Sequence, residues 1–141
     1  MARRILVCYQ ESGSGSAVLE TGRRMAVALK AELNIIKVQP EAAGLTGYYE
    51  HLFHEEMDRI DSIFGGADKK DILFAKKVFE KDGRLPNFKI AAGDPARIIV
   101  QELEAGSYQL AILGIQRDRP LGRVAEAVIK NSPVDVLLVK I

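Results

Sequence analysis

Ile5-Leu6-Val7-Cys8-Tyr9, then Ser12-Gly13-Ser14-Gly15-Ser16, then Val18, Gly22, Met25 and Leu29, then Leu33 to Val38: this opening stretch decides the fold. Consecutive apolar residues bounded by polar ones suit a strand buried on both faces. The Ser/Gly run supplies turn residues and N-cap candidates. Val18, Gly22, Met25 and Leu29 recur at helical spacing and form one stripe of an amphipathic helix. Leu33 to Val38 returns to strand character, and Pro40 ends it. Two strands joined by a crossover helix run parallel, with a right-handed connection.

The same alternation continues beyond Pro40. Glu41 to Gly47 reads as irregular chain. Leu52, Phe53, Met57, Ile60 and Phe64 make a second helical stripe. Gly65-Gly66 interrupts it, because each glycine costs about 1 kcal/mol inside a helix. Helical spacing resumes with Ile72, Ala75 and Phe79, and Gly83 is a C-cap candidate. Phe88 to Ala92 reads as a strand. Asp94 then caps a helix that has Pro95 in its first position, where a missing N–H is tolerated. Ile98, Ile99 and Leu103 are its inward face. Leu110 to Leu113 is a fourth strand ending at Gly114. A loop from Ile115 to Pro120 leads to a helix carrying Leu121, Val124, Ala125 and Val128. Asn131-Ser132-Pro133 stops that helix, and Val134 to Ile141 is the last strand. The order β-α-β-α-β-α-β-α-β predicts a single α/β domain over residues 1–141, an open parallel sheet with helices on both faces.

Composition narrows the function. Lys plus Arg, 20, nearly cancels Asp plus Glu, 19, which argues against a nucleic-acid footprint or an anionic membrane partner. The basic start, Arg3-Arg4, followed by Ile5 to Tyr9 superficially resembles a signal peptide, but Gln10 and Glu11 cut the apolar run short of the roughly seven residues required. No run approaches the ~18 apolar residues of a membrane span. With one cysteine, Cys8, no internal disulfide forms. No His or Lys lies near it in sequence to lower its pKa, so a buried, unreactive thiol and a cytoplasmic location are expected.

Ligands of open parallel sheets bind beyond the C-terminal ends of the strands, where strand order reverses. Gln10 to Ser16 and Gly114 to Gly122 are the two loops so placed. The Gly-Ser-Gly-Ser run lacks a third glycine at dinucleotide-motif spacing and any Gly-Lys-Ser/Thr ending, so a flexible turn with a helix cap explains it equally well. His51, His54, Glu55 and Asp58 share one helix face and are metal-ligand types. A solvated polar face opposite the apolar stripe is the plainer explanation, and no metal is expected. Both histidines lie in one helix, away from Cys8 and the strand ends, so no Ser-His-Asp or Cys-His arrangement can be assembled. No enzymatic step is expected.

The run Gly114-Ile115-Gln116-Arg117-Asp118-Arg119-Pro120-Leu121-Gly122-Arg123, taken with Gly93-Asp94-Pro95-Ala96 and Ser132-Pro133-Val134-Asp135-Val136-Leu137-Leu138-Val139, resembles the universal stress protein family. The resemblance extends from Arg4 to Ile141. It implies a Rossmann-like, adenine nucleotide alpha hydrolase-like sheet of five parallel strands ordered 3-2-1-4-5. It also implies a homodimer through the C-terminal strand, 134–141. Carried over residue by residue, it marks Cys8, Tyr9, Gln10, Val38, Leu113, Gly114, Arg117, Gly122, Arg123, Ala127 and Val128 as nucleotide-binding positions.

The family's ATP motif is Gly, two residues, Gly, nine residues, then Gly with Ser or Thr. Its first glycine matches Gly114, its second falls on Arg117, and its final pair falls on Ala127-Val128. Gln10 stands where an aspartate holds the nucleoside, and Val38 keeps the apolar residue that lines an adenine. These replacements imply that Mg-ATP binds weakly or not at all. Arg117, Arg119 and Arg123 fit either an anion or a solvated, salt-bridged loop. The expected function is therefore a non-catalytic, dimeric stress-response or regulatory protein without an obligatory cofactor. The alternative is a sensor of ATP, AMP or a cyclic dinucleotide in the same crevice. Ser12-Gly13-Ser14 resembles a cyclic dinucleotide motif of potassium-sensing histidine kinases, although Ile35 to Gln39 lacks the aromatic residues expected there. Slow ATP hydrolysis is the third reading.

Overall fold

Alternate residues of a strand face opposite sides of its sheet. The first strand, β1 (Arg3–Tyr9), uses this to feed two cores, as the computed structural model shows. The structure describes residues 3–9, 15–39, 47–50 and 87–141. Ile5, Val7 and Tyr9 turn to one face and pack with Val18, Leu19 and Ala26 of α1 (Gly15–Leu29). Leu6 and Cys8 turn to the other face, under α2 (Pro95–Ala105) and α3 (Arg123–Asn131), where Ile98, Ile99, Leu103 and Val128 close the second core. Ile5, Leu6, Leu19, Ile35, Ile36, Leu103 and Ile112 are all fully buried. Each such side chain is worth about 2 kcal/mol relative to exposure.

The remaining strands are β2 (Ala31–Gln39), β3 (Gly47–Glu50), β4 (Asn87–Ala92), β5 (Leu110–Ile115) and β6 (Asp135–Lys140). The sheet order is β3-β4-β2-β1-β5-β6. β4, β2, β1, β5 and β6 are mutually parallel, so the five parallel strands stand in the expected order 3-2-1-4-5. β3 was not expected. It pairs antiparallel with β4, Tyr48 opposite Ala91 and Tyr49 opposite Ile90. Two tyrosines have high strand propensity, and β4 would otherwise present an open edge. The second helical stripe, the Gly83 cap and the His51, His54, Glu55, Asp58 quartet all lie outside the described residues.

Gly93 adopts φ +142°, which few side chains tolerate, and so turns β4 into α2. Asp94 then caps α2 as expected, its carboxylate accepting from the Arg97 N–H at 3.2 Å. Two sequence expectations need correction at α3. Leu121, expected on the helix, precedes it and is exposed, and Asn131, expected to stop the helix, is its last residue. Ser132 is the C-cap, its N–H donating to the Val128 carbonyl at 2.8 Å.

A polar network ties down the N-terminal end of the sheet on the α2 face. Lys89 Nζ lies 3.0 Å from both oxygens of buried Glu102, and the Tyr108 hydroxyl donates to Glu102 at 3.3 Å. The Arg4 guanidinium stacks 4.8 Å from the Tyr108 ring centre and donates to Asn34 Oδ1, which also accepts from Asn87. Among the described residues, no helix is long and apolar enough to cross a membrane.

Candidate functional site

β1 and β5 lie side by side, Cys8 opposite Leu113, and the chain leaves β1 for β2 on the other side. This is the point where strand order reverses, and a crevice opens there beyond the C-terminal ends. It has a volume of about 400 Å³. Its floor includes Cys8, Leu113 and Gly114, and its wall runs from Arg119 through Gly122 and Arg123 to Ala125. A volume of this size suits a small molecule.

The wall is built by the start of α3. Gly122 is the N-cap, at φ −71° and ψ 165°, and offers no side-chain cap. Its carbonyl accepts from the Glu126 N–H, but the N–H groups of Arg123, Val124 and Ala125 have no intrahelical partner. A Cβ at Gly122 would meet nothing within 4 Å, so the helix entrance is uncrowded at that residue. Uncapped N–H groups and the helix dipole favour an anion.

Two guanidiniums reinforce that preference. Arg119 and Arg123 line the crevice, and Arg117 is exposed in the same loop. The ion pairs of the described residues lie elsewhere: Arg4–Glu32, Arg23–Glu20, Lys89–Glu102 and Lys130–Glu126. Lys130 engages Glu126, the one acid in the first turn of α3, at 3.1 Å. Among the described residues, the three loop arginines are exposed and form no ion pair. Among the described lining residues none carries a carboxylate or a hydroxyl.

Cys8 is buried and its thiol is pushed up to about 12 by loss of solvation, so it is a neutral, inert floor residue, as expected from sequence. Among the described residues, no group of three His, Cys, Asp or Glu side chains is placed to hold a metal. The arrangement can bind and orient an anion. Among the described residues it holds no nucleophile–base pair.

The structure brings together Cys8, Leu113, Gly114, Gly122 and Arg123 from the positions implied by resemblance. Arg117 stands aside, its backbone N–H directed at the Ile141 carbonyl at 3.4 Å. Tyr9 is buried on the α1 face, with the Lys37 ammonium 6.0 Å from its ring centre. Val38 packs half-buried against the α2-face core. Val128 is wholly buried beneath α3, and Ala127 faces a groove between α2 and α3. Gln10 and Ser12 to Ser14 lie outside the described residues.

Counting nine residues from Arg117 therefore carries the motif's final pair one turn into the helix interior, where no N–H group is free. The glycine at the helix entrance is Gly122, and Arg123 follows it. Sequence reasoning missed the wall residues Val124 and Ala125. A glycine directly before a helical stripe is an N-cap signal that would have placed the helix start there.

Residues 1–140 match the sequence profile of the Universal stress protein family. No curated protein matches the chain by sequence. Solved structures do resemble it. UspA from Lactobacillus plantarum shares 21% identity at a TM-score of 0.67, with 97% of each chain covered. A universal stress protein in complex with cAMP shares 20% identity at a TM-score of 0.70, with 97% of this chain and 96% of that one covered. The universal stress protein from Archaeoglobus fulgidus in complex with dAMP shares 16% identity at a TM-score of 0.66, covering 98% and 97%. These likenesses agree with the α/β sheet described above, and the profile match spans almost the whole sequence. The chain belongs to the universal stress protein family.

Proposed function

We propose that this chain is a non-catalytic regulatory module that binds a phosphate-bearing nucleotide in the crevice between β1 and β5. One observation carries the reading: Arg119 and Arg123, without carboxylate partners among the described residues, flank an uncapped helix entrance on a cavity of about 400 Å³. Structurally similar proteins in complex with cAMP and dAMP support a nucleoside monophosphate as the class of ligand. The inert thiol of Cys8, and a lining that among the described residues has no hydroxyl or carboxylate group, support binding rather than turnover. The reading also includes a cytoplasmic location and a homodimer through strand β6, which lies at the sheet edge.

Thermal unfolding in the presence of AMP, cAMP, ATP and a cyclic dinucleotide tests it. A ligand at 100-fold its dissociation constant adds about 2.7 kcal/mol of stability. AMP or cAMP should raise the midpoint at micromolar to low millimolar concentration. No shift with any of the four sinks the reading.

A further inference from the structure

The family resemblance brings with it a metal-bound triphosphate, and the residues of this crevice do not fit one. Mg²⁺ is held by carboxylates together with substrate phosphates, and it keeps several waters. Among the described lining residues the side-chain oxygen donors reduce to the amide of Gln116. The charged groups among the described lining residues, Arg119 and Arg123, have the sign of the metal itself. The nearby acids among the described residues stand off the lining: Asp118 is exposed and not part of it, and Glu126 is engaged by Lys130.

From this we infer that Arg119 and Arg123 take the place of a divalent cation, so the site binds phosphate groups metal-free and Mg²⁺ weakens binding. Guanidinium groups neutralise phosphate oxygens directly and pair with them bidentately. A hydrated Mg²⁺ already chelated by the phosphates would occupy those same oxygens and place a dication beside two fixed positive charges. The N–H groups at the start of α3 require bare phosphate oxygen as well. This inference rests on the proposed nucleotide reading, but its test separates the two.

The probes are ATP, AMP and inorganic pyrophosphate, titrated calorimetrically into the full chain in EDTA and again with excess Mg²⁺. ATP and pyrophosphate, which chelate Mg²⁺ strongly, should each bind about tenfold or more tightly in EDTA, a difference of 1.4 kcal/mol. Arg119→Gln/Arg123→Gln should lose most of the metal-free affinity, while Arg119→Lys/Arg123→Lys should keep the preference for EDTA. Both arginines are exposed, so melting curves of the variants should match the parent; if they do not, the comparison on the parent chain decides. Affinity that is equal or higher with Mg²⁺ overturns the inference and leaves nucleotide binding standing. Pyrophosphate binding in EDTA without any nucleotide binding upholds the inference and overturns the nucleotide reading. Silence with all three probes overturns both.

Discussion

Gly114 and Ile141 are packed so closely that a Cβ on the glycine would stand 2.5 Å from Ile141 Cδ1, and 2.7 Å from Val18 Cγ2 on α1. The missing side chain thus points to the α1 face, while the backbone of the same residue lines the ligand crevice on the other. Packing alone disfavours a side chain here, whatever the crevice binds. Gly114→Ala should therefore destabilise the ligand-free protein by about 1–3 kcal/mol. Ile141→Ala in the same chain should restore part of the loss by vacating the space. Urea unfolding of the parent, both single variants and the double variant measures this, and strictly additive effects would refute the contact. A loss of ligand binding in Gly114→Ala is interpretable only after this correction.

The relation also shows what a sequence pattern can and cannot disclose. The β-α-β rhythm is written in runs such as Ile5 to Tyr9 and stripes such as Ile98, Ile99 and Leu103, because burial on two faces leaves no choice of residue class. Asp94 and Pro95 mark a helix start by local chemistry, so they too were legible. Gly114 was legible as a glycine at a strand end but not as one closed off by Ile141, since that contact joins residues distant in the chain. The motif count rests on a fixed interval between glycines, whereas the position of the helix start, here at Arg123, depends on the loop before it. The short strand β3 depends on an edge supplied by β4, and pairing of this kind has no local signature.

Cys8 makes stability depend on alkaline pH. Its thiol titrates at about 12 in the folded chain against an ordinary 9.0, because burial disfavours the thiolate. Below pH 9 both states keep the proton and no difference arises. Above pH 9 the unfolded chain releases it and the folded chain does not, so stability falls by about 1.4 kcal/mol per pH unit until the folded thiol titrates. Tyr108, raised by burial and by Glu102, adds to the fall above pH 10. Cys8→Ala should be less stable at pH 7 yet lose less between pH 9 and 10, as read by urea midpoints. An unchanged slope would dismiss the thiol as the cause.

Glu102 is the anionic centre of the polar network at the far end of the sheet from the crevice. Both Lys89 and the Tyr108 hydroxyl donate to Glu102, so Glu102→Ala should cost about 1–3 kcal/mol. Glu102→Leu with Lys89→Met replaces both charges by apolar groups and should recover much of that loss. Tyr108→Phe removes a single neutral donor and should cost about 1 kcal/mol. Denaturant midpoints across the set check the order. If the double variant is as unstable as the sum of its singles, the pair is not coupled as the geometry requires.

The free edge of β6 supplies a test of the proposed homodimer. Ile141 directs both backbone groups toward β5: its N–H donates to the Ile115 carbonyl at 2.7 Å, and its carbonyl faces the Arg117 N–H. Backbone direction alternates along a strand, so the N–H and C=O of Lys140 face the open side, where a second copy would pair. Proline at that position removes one outward donor and leaves the β5 ladder intact, the placement in which an edge strand tolerates it. Lys140→Pro should weaken a dimer built on residues 134–141 by about tenfold, equivalent to the 1.4 kcal/mol of one lost hydrogen bond. Lys140→Ala, which changes the side chain alone, should leave it unaltered. Sedimentation equilibrium over a concentration series reads the difference, and thermal melting confirms that the proline variant remains folded. Should the two variants associate equally, the twofold contact does not run through this edge.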